Sequence, residues 1–150
     1  MHRLGIMSSS EPPVSRVCQR RPSRILLVDD DPSVIRGLWR LLRQNRPEFH
    51  INTAANPAQA IEALDELGYD LVITDWHMPG GGGRVVLDAL AARYPETARI
   101  VHSSQIEPGD TQRRYRAHAV LAKPAADFEI LAAIDIALRR VALKPVRRAS

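Results

Sequence analysis

The sequence predicts a doubly wound α/β fold in which five helices flank a five-stranded parallel sheet. Short apolar runs of strand length alternate along the chain with segments of helical periodicity. Four of the apolar runs stop at charged or hydroxyl residues. A chain of 150 residues is long enough for one domain with a substantial core. Because crossovers between parallel strands are right-handed, this alternation makes the doubly wound topology nearly obligatory.

The predicted strands are short and rich in aliphatic residues. They cover residues 25–29, 49–53, 70–75, 99–103 and 119–122. The third strand, 70–75, is apolar on both faces, which is typical of a strand buried between two helical layers. We therefore expect it at the centre of the sheet.

The predicted helices follow these strands. Asp31-Pro32 opens the first and Asn56-Pro57 caps the second, because Asp and Asn accept free backbone N–H groups and proline suits the first turn. Gly68 is expected to end the second helix. Its inward residues should be Ala60, Ile61, Ala63, Leu64 and Leu67, and those of the first helix Val34, Ile35, Leu38, Leu41 and Leu42. The last three helices cover 84–94, roughly 110–118, and 127–143, which carries Phe128, Ile130, Leu131, Ile134, Ala137, Leu138 and Val141.

The net charge of +4 is concentrated at the two ends of the chain. Residues 1–24 hold five Lys/Arg and one acid, and residues 139–150 hold five Lys/Arg and no acid. The body, 25–138, holds 11 basic and 16 acidic residues and does not resemble a nucleic-acid-binding domain. We predict a flexible basic leader over 1–23, one domain over 24–143 and a basic tail over 144–150.

The sequence has no feature of a membrane or secreted protein. No apolar run approaches the ~18 residues needed to span a membrane, and the first residues lack the apolar stretch of a secretory signal. The single cysteine, Cys18, cannot form an internal disulfide. We therefore expect a cytoplasmic protein with no membrane insertion and no direct contact with nucleic acid.

Polar residues at the strand ends predict a magnesium and phosphoryl site. These residues are Asp29, Asp30, Asp75, Ser103 and Lys123. They should converge because the carboxyl ends of parallel strands meet at one edge of the sheet. Mg²⁺ prefers oxygen ligands and keeps several waters, so two carboxylates and a backbone carbonyl after Asp75 would suffice. Asp75, at the end of the central strand, is the expected nucleophile, with Lys123 and Ser103 on the phosphate oxygens.

Taken together, these motifs resemble the receiver domain of two-component response regulators. The resemblance covers roughly residues 24–143 and rests on the order of the motifs rather than on any one of them. They are Asp29-Asp30-Asp31-Pro32, Asp75 followed by Met78-Pro79-Gly80, Ser103, and Lys123-Pro124. The family implies a flavodoxin-like fold with strand order 2-1-3-4-5.

The resemblance also implies a role for each site residue. Asp75 would take a phosphoryl group from a phosphohistidine on a sensor histidine kinase or phosphotransfer protein. Mg²⁺ would be held by Asp30, Asp75 and the backbone carbonyl of His77, with Asp29 beside it. Ser103 would be the switch hydroxyl and Lys123 the phosphate contact. Such a domain signals rather than catalyses turnover, apart from its own phosphorylation and slow dephosphorylation.

The chain departs from the family pattern in places. Val120 stands where receivers usually carry a switch aromatic, and the glycines 80–83 predict an unusually flexible loop. The segment between Ser103 and Lys123 is a little short, so a truncated or mobile fourth helix is expected. No output domain follows, which suggests a stand-alone regulator. Its face of fourth helix, fifth strand and fifth helix would contact a downstream protein or a second copy in a homodimer.

Two alternatives remain open. A haloacid-dehalogenase-type phosphatase also uses an aspartyl nucleophile with Mg²⁺, and residues 29–31 fit its Asp-x-Asp motif. That family needs a further acidic pair after its lysine, where this chain has only scattered acids: Asp127, Glu129 and Asp135. The second alternative is a receiver-like adaptor that acts without phosphorylation, which the missing aromatic would permit.

Overall fold

The computed structural model describes residues 21–105 and 108–143. Its elements are β1 (Arg24–Val28), α1 (Pro32–Asn45), β2 (His50–Ala54), α2 (Pro57–Glu66), β3 (Leu71–Thr74), α3 (Gly83–Arg93), β4 (Ala98–Ser103), α4 (Pro108–Tyr115), β5 (Ala119–Ala122) and α5 (Asp127–Leu143). The strands form one parallel sheet in the order β2-β1-β3-β4-β5. The predicted fold class and strand order are confirmed.

The termini were predicted as a leader and a tail, and most of both lies outside the described residues. Within the predicted leader, Arg21 pairs with Asp70 at 3.2 Å, and the Ser23 carbonyl accepts a hydrogen bond from the His50 N–H. Contacts with the folded domain therefore begin before Arg24. In the described part of the chain, no helix combines the length and apolar character that crossing a membrane requires.

The core has two halves, one on each face of the sheet, because successive strand residues point to opposite sides. On one face, Leu27 and Ile100 pack with α1 and α5 through residues such as Leu42 and Ile134. On the other face, the core is built on α2 and α3, and its members include Leu26, Val72, Leu64 and Leu87. Every residue of β3 is buried, as predicted for the central strand.

The capping predictions for the first two helices are confirmed. The Asp31 carboxylate accepts a hydrogen bond from the Ser33 N–H, and the Asn56 side chain accepts one from the Gln59 N–H, each at 2.8 Å. The inward position predicted for Leu67 is wrong, since this side chain is 41% exposed. The helix ends at Glu66 and Leu67 has extended backbone angles, so its side chain leaves the apolar stripe.

The second half of the chain differs from prediction at two helices. The fourth helix covers Pro108–Tyr115 rather than 110–118 and is the shortest of the five. It ends where Arg116 adopts a left-handed conformation (φ 54°), which cannot continue a right-handed helix. In the first turn of α5, Phe128 is 72% exposed and stands apart from the apolar residues that face the sheet.

Candidate functional site

The register of the sheet places Asp29 and Asp75 side by side. The last residue of β1, Val28, aligns with Thr74 of β3. The ladder continues by one residue, because the Asp75 N–H donates to the Val28 carbonyl at 2.9 Å and the Asp29 N–H to the Ala54 carbonyl at 3.1 Å. The two carboxylates therefore leave the same edge of the sheet from neighbouring strands.

The Lys123 ammonium reaches both of these carboxylates. Its Nζ lies 2.7 Å from Asp29 Oδ2 and 3.6 Å from Asp75 Oδ2. Both aspartates are buried, at 3% and 6% exposure respectively, so the interactions take place largely away from water. The predicted convergence of Lys123 with the acidic residues is present in the structure, with Asp29 as its closer partner.

Negative charge in this site is only partly compensated. Burial raises the pKa of Asp29 above its ordinary value of 3.8. Hydrogen bonds from Lys123 and from the Asp31 N–H, together with the charge of Lys123, oppose this effect, while the charge of Asp75 reinforces it. The lysine therefore does not fully offset the cost of holding the carboxylates together, and a second cation would be stabilising here.

The acidic cluster has the composition of a divalent-cation site. Asp29, Asp30 and Asp75 each offer a carboxylate oxygen, and these oxygens lie within 4.8 Å of one another. Asp30 is exposed, while the other two are buried, so the cluster opens to solvent on one side. Hard carboxylate oxygens with room for water match the ligation that Mg²⁺ prefers. The residues present therefore fit the predicted metal.

The loop after Asp75 holds the predicted residue His77 near the cluster by its backbone. The His77 N–H faces Asp75 Oδ1 at 3.4 Å, a long hydrogen bond. Its imidazole Nε2 lies 3.1 Å from the Gln105 carbonyl in the loop after β4. The ring therefore bridges two loops and is engaged away from the carboxylates.

Two glycines let α3 begin directly against this loop. A side chain on Gly82 would collide with the Trp76 carbonyl, and one on Gly83 with the Asp75 carbonyl. The Gly83 N–H donates to the Trp76 carbonyl at 2.9 Å. The glycine run was predicted to make a flexible loop, and the structure gives these two residues a steric requirement for glycine. The Gly83 contact is made with the backbone of the candidate nucleophile, Asp75, and the Gly82 contact with that of the next residue.

Ser103 ends β4 beside this site. It is fully buried, and its Oγ has no hydrogen-bond partner among the described residues. Its carbonyl accepts a hydrogen bond from the Lys123 N–H at 2.9 Å, which fixes the two residues relative to each other. A buried hydroxyl without a partner is costly. An anionic oxygen arriving at the site would supply the missing acceptor.

His102 is a buried neutral base next to Ser103. It is 7% exposed and its Nδ1 has no partner in the described part of the chain. Burial and the nearby charge of Lys123 lower its pKa from 6.5 to about 4, against a smaller opposing effect of Asp75. The side chain is therefore uncharged at neutral pH.

An aromatic pair beside the site was missed by sequence reasoning. Trp76 follows Asp75, and Tyr115 ends α4 with 6% of its surface exposed. Their rings pack edge to face with centroids 5.5 Å apart, and Val120 packs against the same cluster. The only trace of this in the sequence is one aromatic residue in the arginine-rich last turn of α4.

Comparison with known proteins agrees with this geometry. The family model for the response regulator receiver domain matches residues 25–135. The transcriptional regulatory protein PrrA of Mycobacterium tuberculosis is 33% identical over 119 residues, covering 78% of this chain and 50% of PrrA. The nitrate/nitrite response regulator NarL of Escherichia coli is 32% identical over 84 residues, 56% of this chain and 39% of NarL. The chain thus spans half or less of the length of these curated relatives.

Solved structures share the fold. The signal receiver domain of an HD domain-containing protein from Pseudomonas fluorescens superposes with a TM-score of 0.77 at 28% identity, covering 83% of this chain and all of that one. The response regulator TrrA of Thermotoga maritima, solved in complex with Mg²⁺-BeF, superposes with a TM-score of 0.68 at 26% identity, covering 75% of this chain and 96% of TrrA.

Proposed function

Since this chain belongs to the response regulator receiver domain family, a family of signalling domains that act as phosphoacceptors in two-component systems, we propose that Asp75 is its phosphorylation site. The donor would be the phosphohistidine of a sensor histidine kinase or phosphotransfer protein in the cytoplasm. The observation that carries this proposal is the position of Lys123 Nζ between the buried carboxylates of Asp29 and Asp75. From that position the Lys123 ammonium can pair first with the Asp75 carboxylate and then with the phosphoryl group.

In the proposed reaction, an Asp75 carboxylate oxygen attacks the phosphorus atom and the P–N bond to the histidine breaks. The electron pair of that bond stays on the imidazole, which is protonated as it leaves. Lys123 loses its 3.6 Å approach to Asp75 Oδ2 and pairs with a phosphoryl oxygen instead. The buried Ser103 hydroxyl donates to a second phosphoryl oxygen and so gains the acceptor that it lacks.

Magnesium fits the same cluster. Asp30, Asp75 and the His77 backbone carbonyl would hold it, with Asp29 bound to one of its waters. A bound Mg²⁺ would offset the repulsion between the carboxylate nucleophile and the phosphoryl oxygens. The raised pKa of Asp29 supports this assignment, because burial of its carboxylate outweighs the effect of Lys123 and a further cation would favour the charged form.

The proposed output is a change in the face formed by α4, β5 and α5, which would contact a downstream protein or a second copy. Movement of Ser103 toward the phosphoryl group would displace the loop after β4. Trp76, which follows Asp75, packs on Tyr115 of α4, and Val120 packs against the same hydrophobic cluster. This packing offers a route to the output face that does not need an aromatic residue at position 120.

Phosphorylation in solution tests the proposal. The chain is incubated with Mg²⁺ and acetyl phosphate, and its intact mass is followed. One phosphoryl group should be added, none with Asp75→Asn, and one with the control Asp88→Asn, an exposed aspartate of α3. Turnover of a phosphomonoester that Asp29→Asn abolishes would indicate the phosphatase instead. No modification and no turnover would indicate the phosphorylation-independent adaptor.

A further inference from the structure

A second cavity lies at the opposite end of the sheet from Asp75. It has a volume of about 560 Å³ and lies where β4 and β5 begin and α5 ends. Its polar lining consists of Arg99, Arg116, Arg140 and His118. The other lining residues are two alanines and Pro95, so none of the described residues around this cavity is acidic. Three arginines thus line one concave space that has no described carboxylate in its lining.

Arg99 is the fixed part of this cavity. Only 2% of the residue is exposed, although its charge has no carboxylate partner among the described residues. Its Nε and Nη2 donate to the carbonyls of Tyr94, Pro95 and Thr97 at 2.9–3.4 Å. These bonds hold the guanidinium in place but bring no negative charge. Burial and the charge of Arg116 together lower the pKa of Arg99 below its ordinary value.

The backbone brings the other basic residues of the lining close to Arg99. The His118 N–H donates to the Arg99 carbonyl at 2.7 Å, and the Arg99 N–H donates to His118 Nδ1 at 3.2 Å. Arg116 is held in the left-handed conformation that turns the chain from α4 into β5. Arg140 lies in the last turn of α5, where the helix dipole favours a cation.

The contrast with other arginines of the domain is informative. Arg21, Arg46, Arg84 and Arg93 each pair with an aspartate: Asp70, Asp135, Asp88 and Asp65. The three arginines of the cavity form no such pair within the described ranges, and they differ from other unpaired arginines, such as Arg36 and Arg113, in sharing one lining. Bringing like charges together without a counter-ion costs free energy. A bound polyanion would recover that cost.

We propose that this cavity binds a small ligand that carries two or more phosphate groups. The planar guanidinium forks of the exposed Arg116 and Arg140 match the geometry of a phosphate, and the buried charge of Arg99 adds to theirs. A volume of about 560 Å³ is within the range of small-molecule sites. The apolar wall of Pro95 and the alanines could take a nucleoside. The group that the arginines would recognise is a diphosphate, which a nucleotide and free pyrophosphate both carry.

The test is calorimetric titration of the full chain with sodium pyrophosphate and, separately, with ADP. Chelator in the buffer removes Mg²⁺ and so keeps phosphate from the Asp75 site. The cavity variants are Arg116→Asn, since Asn tolerates a left-handed backbone, and Arg140→Gln. The matched controls are Arg113→Gln in α4 and Arg139→Gln in α5, which change exposed arginines close in sequence to Arg116 and Arg140 but outside the cavity. Arg99 is left unchanged because its side chain holds the turn after α3.

One ligand should bind per chain, and each cavity variant should weaken it at least about tenfold. Tighter binding of ADP would identify a nucleotide ligand, and equal binding would identify the diphosphate alone; both support the site. The proposal is overturned if neither probe binds at millimolar concentration. It is also overturned if the control variants weaken binding as much as the cavity variants, since the charge would then be a diffuse surface suited to nucleic acid.

Discussion

The rings of Trp76 and Tyr115 connect the loop after Asp75 to α4. Their rings meet at 62° with centroids 5.5 Å apart, and both pack in the core on the α2–α3 face of the sheet. One residue follows Asp75 and the other ends α4. A shift in the loop after Asp75 would therefore be transmitted through this ring contact to the face that we expect to bind partners.

Tyr115→Leu should separate phosphorylation from its readout. The change keeps the site apolar and removes the aromatic pair, at a cost of about 1 kcal/mol in the free energy of unfolding. In a Trp39→Phe background, Trp76 is the remaining tryptophan, and its emission can be followed as Mg²⁺ and beryllofluoride are added. We expect normal phosphorylation of Asp75 and a greatly reduced emission change. An unchanged emission response would remove the pair from the pathway, and Tyr94→Phe provides the control.

Magnesium should stabilise the fold through the acidic cluster. Binding to the native state alone adds about 2.7 kcal/mol to the free energy of unfolding at a hundred times the dissociation constant. Urea denaturation with Mg²⁺ and with chelator measures this gain. Asp30→Asn should abolish it, whereas Asp31→Asn should keep it, because Asp31 caps α1 and Asn caps equally well. Equal gains in both variants would place the ion elsewhere.

His102 should make the protein sensitive to mild acid. Its pKa is about 4 in the folded state and 6.5 when exposed, so the unfolded state binds its proton more readily. Stability is therefore fully present above pH 6.5 and is lost as the pH falls toward 4, by about 2–3 kcal/mol. His102→Leu should remove most of this pH dependence in urea denaturation carried out with chelator. Exposed His50→Gln should leave it intact, and a steep acid loss that persists in His102→Leu contradicts the prediction.

Two glycines should respond in opposite directions to alanine. Gly83→Ala places a methyl group against the Asp75 carbonyl and should lower the free energy of unfolding by about 1–3 kcal/mol. Gly37→Ala lies inside α1, where the new methyl group would meet no atom within 4 Å apart from its own stretch of helix backbone, and should raise it by about 0.5–1 kcal/mol. Thermal and urea unfolding of the two variants measure both. If Gly83→Ala is neutral, α3 can shift away from Asp75 at little cost.

The sheet and the convergence of its strand ends followed from local patterns. These patterns were the strand period, the helix caps at Asp31 and Asn56, and the rule that parallel strands share a carboxyl edge. They were enough to predict that Asp29, Asp75 and Lys123 lie close together. The pattern could not show that Lys123 would lie closer to Asp29 than to Asp75. That depends on side-chain geometry between strands far apart in the sequence.

Features that depend on tertiary packing were not predictable in this way. Leu67 fits a helical stripe, but the backbone leaves the helix one residue earlier. Tyr115 meets Trp76 across elements that are far apart in the sequence. The cavity arginines lie at positions 99, 116 and 140 with no common motif. Each case depends on where a helix or strand ends or on which elements meet. Local sequence determines these less well than it determines whether an element is present.

One strand carries residues of both sites. Arg99 is near the start of β4 and Ser103 is at its end, about 13 Å away at the usual rise of a strand. Because β4 is buried along its length and paired on both sides, it resists bending and would shift as a unit. Phosphorylation at one end of β4 and ligand binding at the other would then be thermodynamically coupled. Each event would change the equilibrium constant of the other by the same factor. Such a domain would integrate two inputs, a phosphoryl signal and the supply of a phosphorylated metabolite.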